Sequence, residues 1–484
     1  MSNEILSLKP EKVWQYFSEI CNIPHPSKKE EKIIEYLLNV GEKLGLETER
    51  DAIGNVLIRK PAFAGKENVT PVVFQSHMDM VCEKNSDSNH NFDTDPIVPI
   101  IDNGWVTAKD TTLGADDGIG VAMMLAILED KSMQHGPVEC LFTVDEETGL
   151  TGAFELKENW LKGKMLLNLD SEDEGQFFIG CAGGIDTVIK IDYETIETPE
   201  GHVGYKVWIK GFQGGHSGDD INRGRGNATR VLSRLLYELT NRFDVCINKI
   251  DSGNLRNALA REGWALITIP EEHEKDAIAY VAKFDETVKL EYKTTDGGVE
   301  AGIKKHELPE TVIDELTHFD LIWSLIACPH GVLEMSQDIK DFVETSTNLA
   351  SVKMDGKEII ITTSQRSSVE SKKTWAAQHV SSVFELIGAD VEQGDGYPGW
   401  TPNPNSEVLK VLKCAYENVF KREPQVLAIH AGLECGLIGE KYPKMDMISY
   451  GPTLRGVHAP GEKIDIETVQ MCWDLTVEFL KILK

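Results

Sequence analysis

Pro71-Val72-Val73-Phe74-Gln75-Ser76-His77-Met78-Asp79 is an apolar run that stops at a histidine, with an acid two residues beyond it. β-Branched and aromatic residues in such a run favour a buried strand. Two other runs end in the same way. Residues 138–144 lead into Asp145-Glu146-Glu147-Thr148-Gly149, and residues 164–169 lead into Asp170. Between the first and second lies 119–128, apolar enough for a largely buried helix, with 114–118 as the turn before it. Strands alternating with helices predict an α/β domain whose sheet is mixed and largely parallel. Sites in open α/β sheets form beyond the carboxyl ends of the strands, where these polar residues fall.

Outward from this centre, residues 11–44 are predicted to be largely helical, broken near Pro24 and Pro26 and capped by Gly45. Val56-Leu57-Ile58 reads as a further strand. The pattern changes after Gly180-Cys181-Ala182-Gly183-Gly184. A strand at 205–209 leads to Gly214-Gly215-His216-Ser217-Gly218. A helix at 227–243, a strand at 258–269 and a helix near 275–284 follow. A second strand-and-helix series spans 342–387, with the hairpin signal Met354-Asp355-Gly356. These features predict an α+β lid domain, 185–398, inserted between catalytic parts 1–184 and 399–484. Residues 396–402 are the linker back. A helix at 406–420, strands at 426–429 and 445–450, and a helix at 466–483 complete the chain.

At 484 residues the chain exceeds one ordinary core, and 41% hydrophobic residues suit packed interiors. The formal charge of -30 argues against nucleic acid as a partner, since a polyanion would be repelled. No stretch is long and apolar enough to span a bilayer, so no membrane partner is expected. Met1-Ser2-Asn3-Glu4 lacks the basic-then-apolar pattern of a signal peptide. The nine cysteines are spread from Cys21 to Cys472 without a C-x-x-C pair, which predicts reduced thiols in the cytoplasm. Cys181 and Cys435 are expected to pack rather than react.

The chemistry lies in the strand ends and two loops. On extended backbone His77 and Asp79 face the same side, so His77 could bind a metal while Asp79 orients its other nitrogen; for this motif alone a satisfied structural pair is the stronger reading. In Thr112-Leu113-Gly114-Ala115-Asp116-Asp117-Gly118, Asp116 could bridge two cations through its two oxygens, or either acid could cap the helix. Three adjacent acids at 145–147 repel one another unless cations are near, although a solvated acidic turn is the plainer alternative. Adjacent side chains point different ways, so Glu147 is assigned to a metal and Glu146 to a bound water. Asp170 opens an acidic loop, and His458 stands in Gly456-Val457-His458-Ala459-Pro460. Taken together, His77, Asp116, Glu147, Asp170 and His458, with Asp79 and Glu146 beside them, are what a two-metal hydrolase needs. Mixed imidazole and carboxylate ligands suit zinc, with manganese or cobalt possible.

The order H-x-D, G-A-D-D-G, D-E-E-x-G, N-x-D and a late G-x-H resembles the zinc-dependent exopeptidases that include carnosinases and aminoacylases. Four further stretches are similar to the bacterial aminoacyl-histidine dipeptidase branch: Ile23-Pro24-His25-Pro26-Ser27, Gly180-Cys181-Ala182-Gly183-Gly184-Ile185-Asp186, Gly214-Gly215-His216-Ser217-Gly218 and His430-Ala431-Gly432-Leu433-Glu434-Cys435-Gly436. The resemblance runs over essentially the whole chain. It implies a di-zinc catalytic domain split around a lid. It implies Asp116 bridging two Zn2+, His77 and Asp170 completing one site, and Glu147 and His458 the other. Glu146 would be the general base and Asp79 the orienting acid. In the lid, His216 would steady an oxyanion, often at the site of a homodimer partner, whereas by itself it is a turn residue between glycines. Asn257 and Arg366 would contact substrate, and Gly432 would offer a backbone contact; Arg366 taken alone could be a surface ion pair, and His430 a structural residue. Asp117 stands where some relatives have asparagine. The implied activity is hydrolysis of Xaa-His and other dipeptides. A tripeptidase, an N-acyl-amino-acid deacylase or a non-catalytic peptide-binding protein is the alternative.

Overall fold

The computed structural model describes residues 3–484, which form two compact units. The first takes the chain up to Gly180 together with Trp400–Ala428 and Leu433–Lys484; the second takes Cys181–Gly399 and Ile429–Gly432. The first boundary therefore lies four residues before the one expected from sequence. Strand pairing explains this: Gln176–Cys181 adds to the sheet of the first unit, whereas Gly183 already pairs with Ser367 in the second. Residues 429–432, expected in the catalytic part, join the second unit through backbone bonds from Ala182 N–H to the Ile429 and Ala431 carbonyls.

An eight-stranded sheet organises the first unit. Its order is Glu47–Arg50, Val56–Lys60, Val138–Thr143, Val72–His77, Met165–Asn168, Asp446–Ser449, Gln176–Cys181 and Gln425–Ile429. The four strands from Val138–Thr143 to Asp446–Ser449 run parallel, and antiparallel pairings flank them. Val138–Thr143, Val72–His77 and Met165–Asn168 are buried along their whole length, which is why they read as continuous apolar runs rather than as alternation. Helix Ala115–Glu129 packs on Val72–His77 and against helix Glu11–Cys21, and is apolar all round because it is covered all round. Phe17, Phe74 and Phe142 are fully buried here, each contributing about 1.5–3 kcal/mol. Gly45 caps helix Glu31–Leu44 in the left-handed region, as expected. A hairpin that the sequence did not signal, Pro99–Asp102 and Trp105–Ala108, forms a small sheet with Lys463–Asp465 and Leu454–Arg455.

The second unit is a nine-stranded sheet in which the described pairings are antiparallel. Strand Gly263–Pro270 alternates between buried and half-exposed positions over its first half, because helices Ala228–Phe243 and Glu274–Glu291 cover one face. The strand expected from 258 begins only at Gly263. Residues 258–260 form a loop that makes a single bridge, Ala258 with His216. Helix Glu315–Ala327 was not anticipated; its apolar residues appear on both its buried and its exposed sides, which blurs the helical period.

Candidate active site

Sheet register brings the acids of the first unit to one edge. His77 ends its strand opposite Thr143, so Asp145, Glu146 and Glu147 emerge one strand spacing away, about 4.8 Å. On the other side Gln75 pairs with Asn168, which puts Asp170 level with His77. Asp116 enters from the first turn of helix Ala115–Glu129, and His458 from the loop between Leu454–Arg455 and Lys463–Asp465. All five residues thus meet, although they span 381 positions between His77 and His458.

The contacts divide around Asp116. Its Oδ1 lies 3.3 Å from His77 Nε2, and its Oδ2 lies 3.2 Å from His458 Nε2. His77 Nε2 is also 3.3 Å from Asp170 Oδ1, and His458 Nε2 is 3.0 Å from Glu147 Oε2. Each imidazole therefore faces two carboxylates through one nitrogen. Glu147 Oε1 is buried and has no hydrogen-bond partner among the described residues. His77, Glu146 and Glu147 form a third group within ligand distance.

This crowd of acids shows in its proton affinities. Burial pushes the Asp170 carboxyl well above its usual range, and the neighbouring Asp116 and Asp117 add to the rise. Burial also raises Glu146, helped by Glu434, Glu147 and Asp116. Burial would raise Asp116 too, but the His458 and His77 imidazoles outweigh it and hold the carboxyl low. His458 is pushed up to about 11 by its bonds to Asp116 and Glu147. Positive charge is what such a cluster needs.

Asp79 does more than face His77. His77 Nδ1 lies 3.1 Å from the Asp79 carbonyl and 3.5 Å from its carboxylate. The carboxylate accepts from Ser27 Oγ at 2.8 Å and from the backbone N–H groups of Glu146 and Glu147 at 3.1 and 3.3 Å. It thereby fixes the turn that carries both glutamates. The helix-capping role falls to Asp117, which is buried and accepts from Gly120 N–H at 3.2 Å, leaving Asp116 to the cluster. The peptide bond between Asp116 and Asp117 is cis.

Beneath the cluster runs a buried polar row. Glu434 Oε2 accepts from Gln75 Nε2 at 2.5 Å and from Thr143 Oγ1 at 2.9 Å. Gln75 Oε1 accepts from Asn168, and Asn168 Oδ1 from Ser449. Burial pushes Glu434 up to about 7. Neither Glu434 nor Glu462, which binds the Asp116 loop, stood out in the sequence. An acid inside the H-A-G-L-E-C-G stretch, and one four residues after His458, were the available signals.

The second unit carries its own polar cluster. Arg366 Nη1 donates to Tyr397 OH at 2.7 Å, and Nη2 lies 3.4 Å from His216 Nε2. Arg366 is 7% exposed, so it is not a surface ion pair, and its Nε has no partner among the described residues. His216 Nδ1 is 3.5 Å from Asp219 Oδ2. Asn257 is exposed, and its carbonyl accepts from Ser217 N–H, next to His216. A Cβ on Gly432 would meet the Tyr397 ring at 3.0 Å, so glycine keeps that approach open. His430 is buried on Ser346 Oγ at 2.7 Å, with its pKa lowered to about 3 by burial and by Arg366. Tyr397 was missed because its Gly-Tyr-Pro-Gly surroundings read as linker. Cys181 and Cys435 are buried and not in disulfides.

A sequence model of Peptidase family M20/M25/M40 matches residues 73–482. The chain belongs to this family. The cytosol non-specific dipeptidase of Escherichia coli (strain K12) is 41% identical to this M20/M25/M40 peptidase over 479 residues, 99% of each chain. The crystal structure of aminoacylhistidine dipeptidase from Vibrio alginolyticus superposes with a TM-score of 0.94 at 41% identity, covering 100% of this chain and 99% of that one. Aminopeptidase PepT from Bacillus cereus shares the fold at a TM-score of 0.58 and 18% identity, covering 98% of both chains. The peptidase fold expected from the motifs is thus the one found.

Proposed function

We propose that this protein is a metal-dependent dipeptidase hydrolysing Xaa-His (carnosine-like) and other dipeptides. One observation carries the reading: Asp116 turns one oxygen to His77 and the other to His458, so two ligand groups share one carboxylate. In this reading two Zn2+, replaceable by Co2+ or Mn2+, are held by His77, Asp116 and Asp170 and by Asp116, Glu147 and His458. The donor set fits, with nitrogen and oxygen ligands in mixed groups and an orphaned buried oxygen on Glu147. When bound, a divalent pair polarises the scissile carbonyl and lowers the pKa of water.

Glu146 is the carboxylate left over. It takes a proton from the attacking water and delivers it to the leaving amine, and burial raises its proton affinity towards that task. Asp79 holds the Glu146 turn in place. In the second unit, Arg366 carries a buried Nε donor, unpaired among the described residues, that a terminal carboxylate would satisfy, for which a planar fork is suited, and His216 serves the developing oxyanion. Asn257 and Gly432 contact substrate. A clamp on the carboxyl terminus limits substrate length, and the two relatives at 41% identity are named dipeptidases.

The name of the Escherichia coli relative supports a cytoplasmic location, and no described helix is long and apolar enough to cross a membrane. A homodimer through the second unit is supported by helix Glu315–Ala327, which exposes Leu316, Phe319, Trp323 and Ile326 along one stripe. Monomer mass in sedimentation velocity at micromolar concentration would reject it.

The deciding experiment is Glu146→Gln. Turnover should fall by at least about 1,000-fold, with zinc content unchanged. A variant that keeps its activity removes Glu146 as the base. Product analysis on Xaa-His dipeptides, tripeptides and acylated amino acids fixes the substrate class. Preference for either of the latter two makes the protein a tripeptidase or deacylase, and binding without cleavage makes it a peptide-binding protein.

A further inference from the structure

We propose that Glu462 is a positioning residue for the metal centre: its carboxylate binds four consecutive backbone N–H groups and so locks the Asp116 loop to the His458 loop. The inference rests on the metal reading above. Glu462 is 2% exposed. Its Oε2 accepts from Leu113 N–H at 2.7 Å and Gly114 N–H at 3.0 Å, and its Oε1 from Ala115 N–H at 2.8 Å and Asp116 N–H at 3.3 Å. Four successive amides converge on one side because Gly114 takes the left-handed conformation, φ 70°. Amides turned inward in this way form an anion-binding concavity, and here the anion is a side chain of the same protein.

Ordinary helix capping does not account for this arrangement. A cap needs one short side chain from the adjacent residue, and Asp117 already supplies one to Gly120 N–H. Glu462 instead comes from 346 residues away. Its own backbone is pinned at both faces: its N–H donates to the Ala459 carbonyl at 3.0 Å, and its carbonyl accepts from Thr107 Oγ1 at 2.7 Å. His458 lies in the same tight turn, four residues earlier. Asp116 Oδ2 and His458 Nε2, 3.2 Å apart, therefore keep their spacing only while Glu462 holds both loops. A carboxylate is required, since an amide would set its NH2 against two inward N–H donors.

The test uses full-length Glu462→Gln and Glu462→Asp beside wild type. Zinc affinity is read by competition with a chromophoric chelator, kcat and KM on a dipeptide at saturating zinc, and the thermal midpoint of the metal-free proteins. Both variants should fold and bind at least one zinc about 10–100-fold more weakly, the range typical for loss of a group that supports metal ligands. kcat should fall while KM stays within about threefold, because no substrate contact is removed. Wild-type affinity in the folded variants overturns the proposal, and so does a lower thermal midpoint with affinity unchanged. If Glu462→Gln does not fold, Glu462→Asp decides alone; if neither folds, Glu462 serves the fold and the proposal is overturned. Wild type that takes up no zinc removes the metal reading and this inference with it, whereas wild-type binding with unaltered variants removes the inference alone.

Discussion

Arg366 and Glu434 show how a single buried side chain is set to a task by its neighbours. Arg366 has one donor spent on Tyr397 and its Nε unspent, so the role proposed for it depends on fork geometry rather than on charge alone. Arg366→Lys should raise KM for dipeptides by about 10–100-fold with a smaller change in kcat, read from steady-state kinetics; an unchanged KM would take the carboxylate clamp away from Arg366. Glu434 makes a prediction about pH. Burial raises its folded pKa from 4.5 to about 7; nearby Asp79 adds to the rise, and His77, Thr143 and Gln75 oppose it. A raised carboxyl pKa contributes stability that is complete below about pH 4.5 and is lost as pH climbs through 7. In metal-free protein, Glu434→Gln should therefore gain on wild type by about 3 kcal/mol between pH 4.5 and pH 8. Denaturant melts that differ by a constant amount across that range would show that Glu434 does not titrate as its burial demands. Added zinc should shrink the slope, since positive charge nearby lowers the carboxyl pKa.

At the scale of elements, the site depends on turns that bend against ordinary preference. Gly114 precedes helix Ala115–Glu129 with positive φ, and a Cβ there would meet Met80 Sδ at 2.9 Å. Gly114→Ala should cost about 1–3 kcal/mol in chemical denaturation, and it should weaken zinc binding because the amides facing Glu462 would shift. Equal stability of the two proteins would mean that the loop absorbs the methyl freely. The parallel strands behave differently. Val72–His77 and Val138–Thr143 are buried end to end, so their positions were legible as apolar runs, and the site residues follow where the runs stop. The hairpin Pro99–Ala108 and helix Glu315–Ala327 escaped notice: the first is short, and the second keeps apolar residues on its exposed side.

For the molecule as a whole, acid dominates, with a formal charge of -30, and several carboxylates meet beside two imidazoles. Divalent cations that bind only the folded chain must stabilise it. Zinc at 100 times its Kd adds about 2.7 kcal/mol per site, so chelation should lower the thermal midpoint as it abolishes activity, and zinc should restore both. A midpoint indifferent to chelator would leave the cluster without its cation.

The local pattern along the chain determined much of this protein. Strand, helix and turn preferences act over a few residues, so the apolar runs, the glycine turns and the acids and histidines at their ends could be read one segment at a time. That is how His77, Asp116, Glu147, Asp170 and His458 stood out as candidates, and the structure brings their side chains together. Tertiary structure decided which groups touch. It turned Asp117 to its cap and Asp116 to the histidines, buried Glu434 under Gln75, brought Tyr397 to Arg366 and carried Glu462 to four amides far away in the chain. Such contacts arise from sheet register and loop closure across hundreds of residues, and no local preference encodes them.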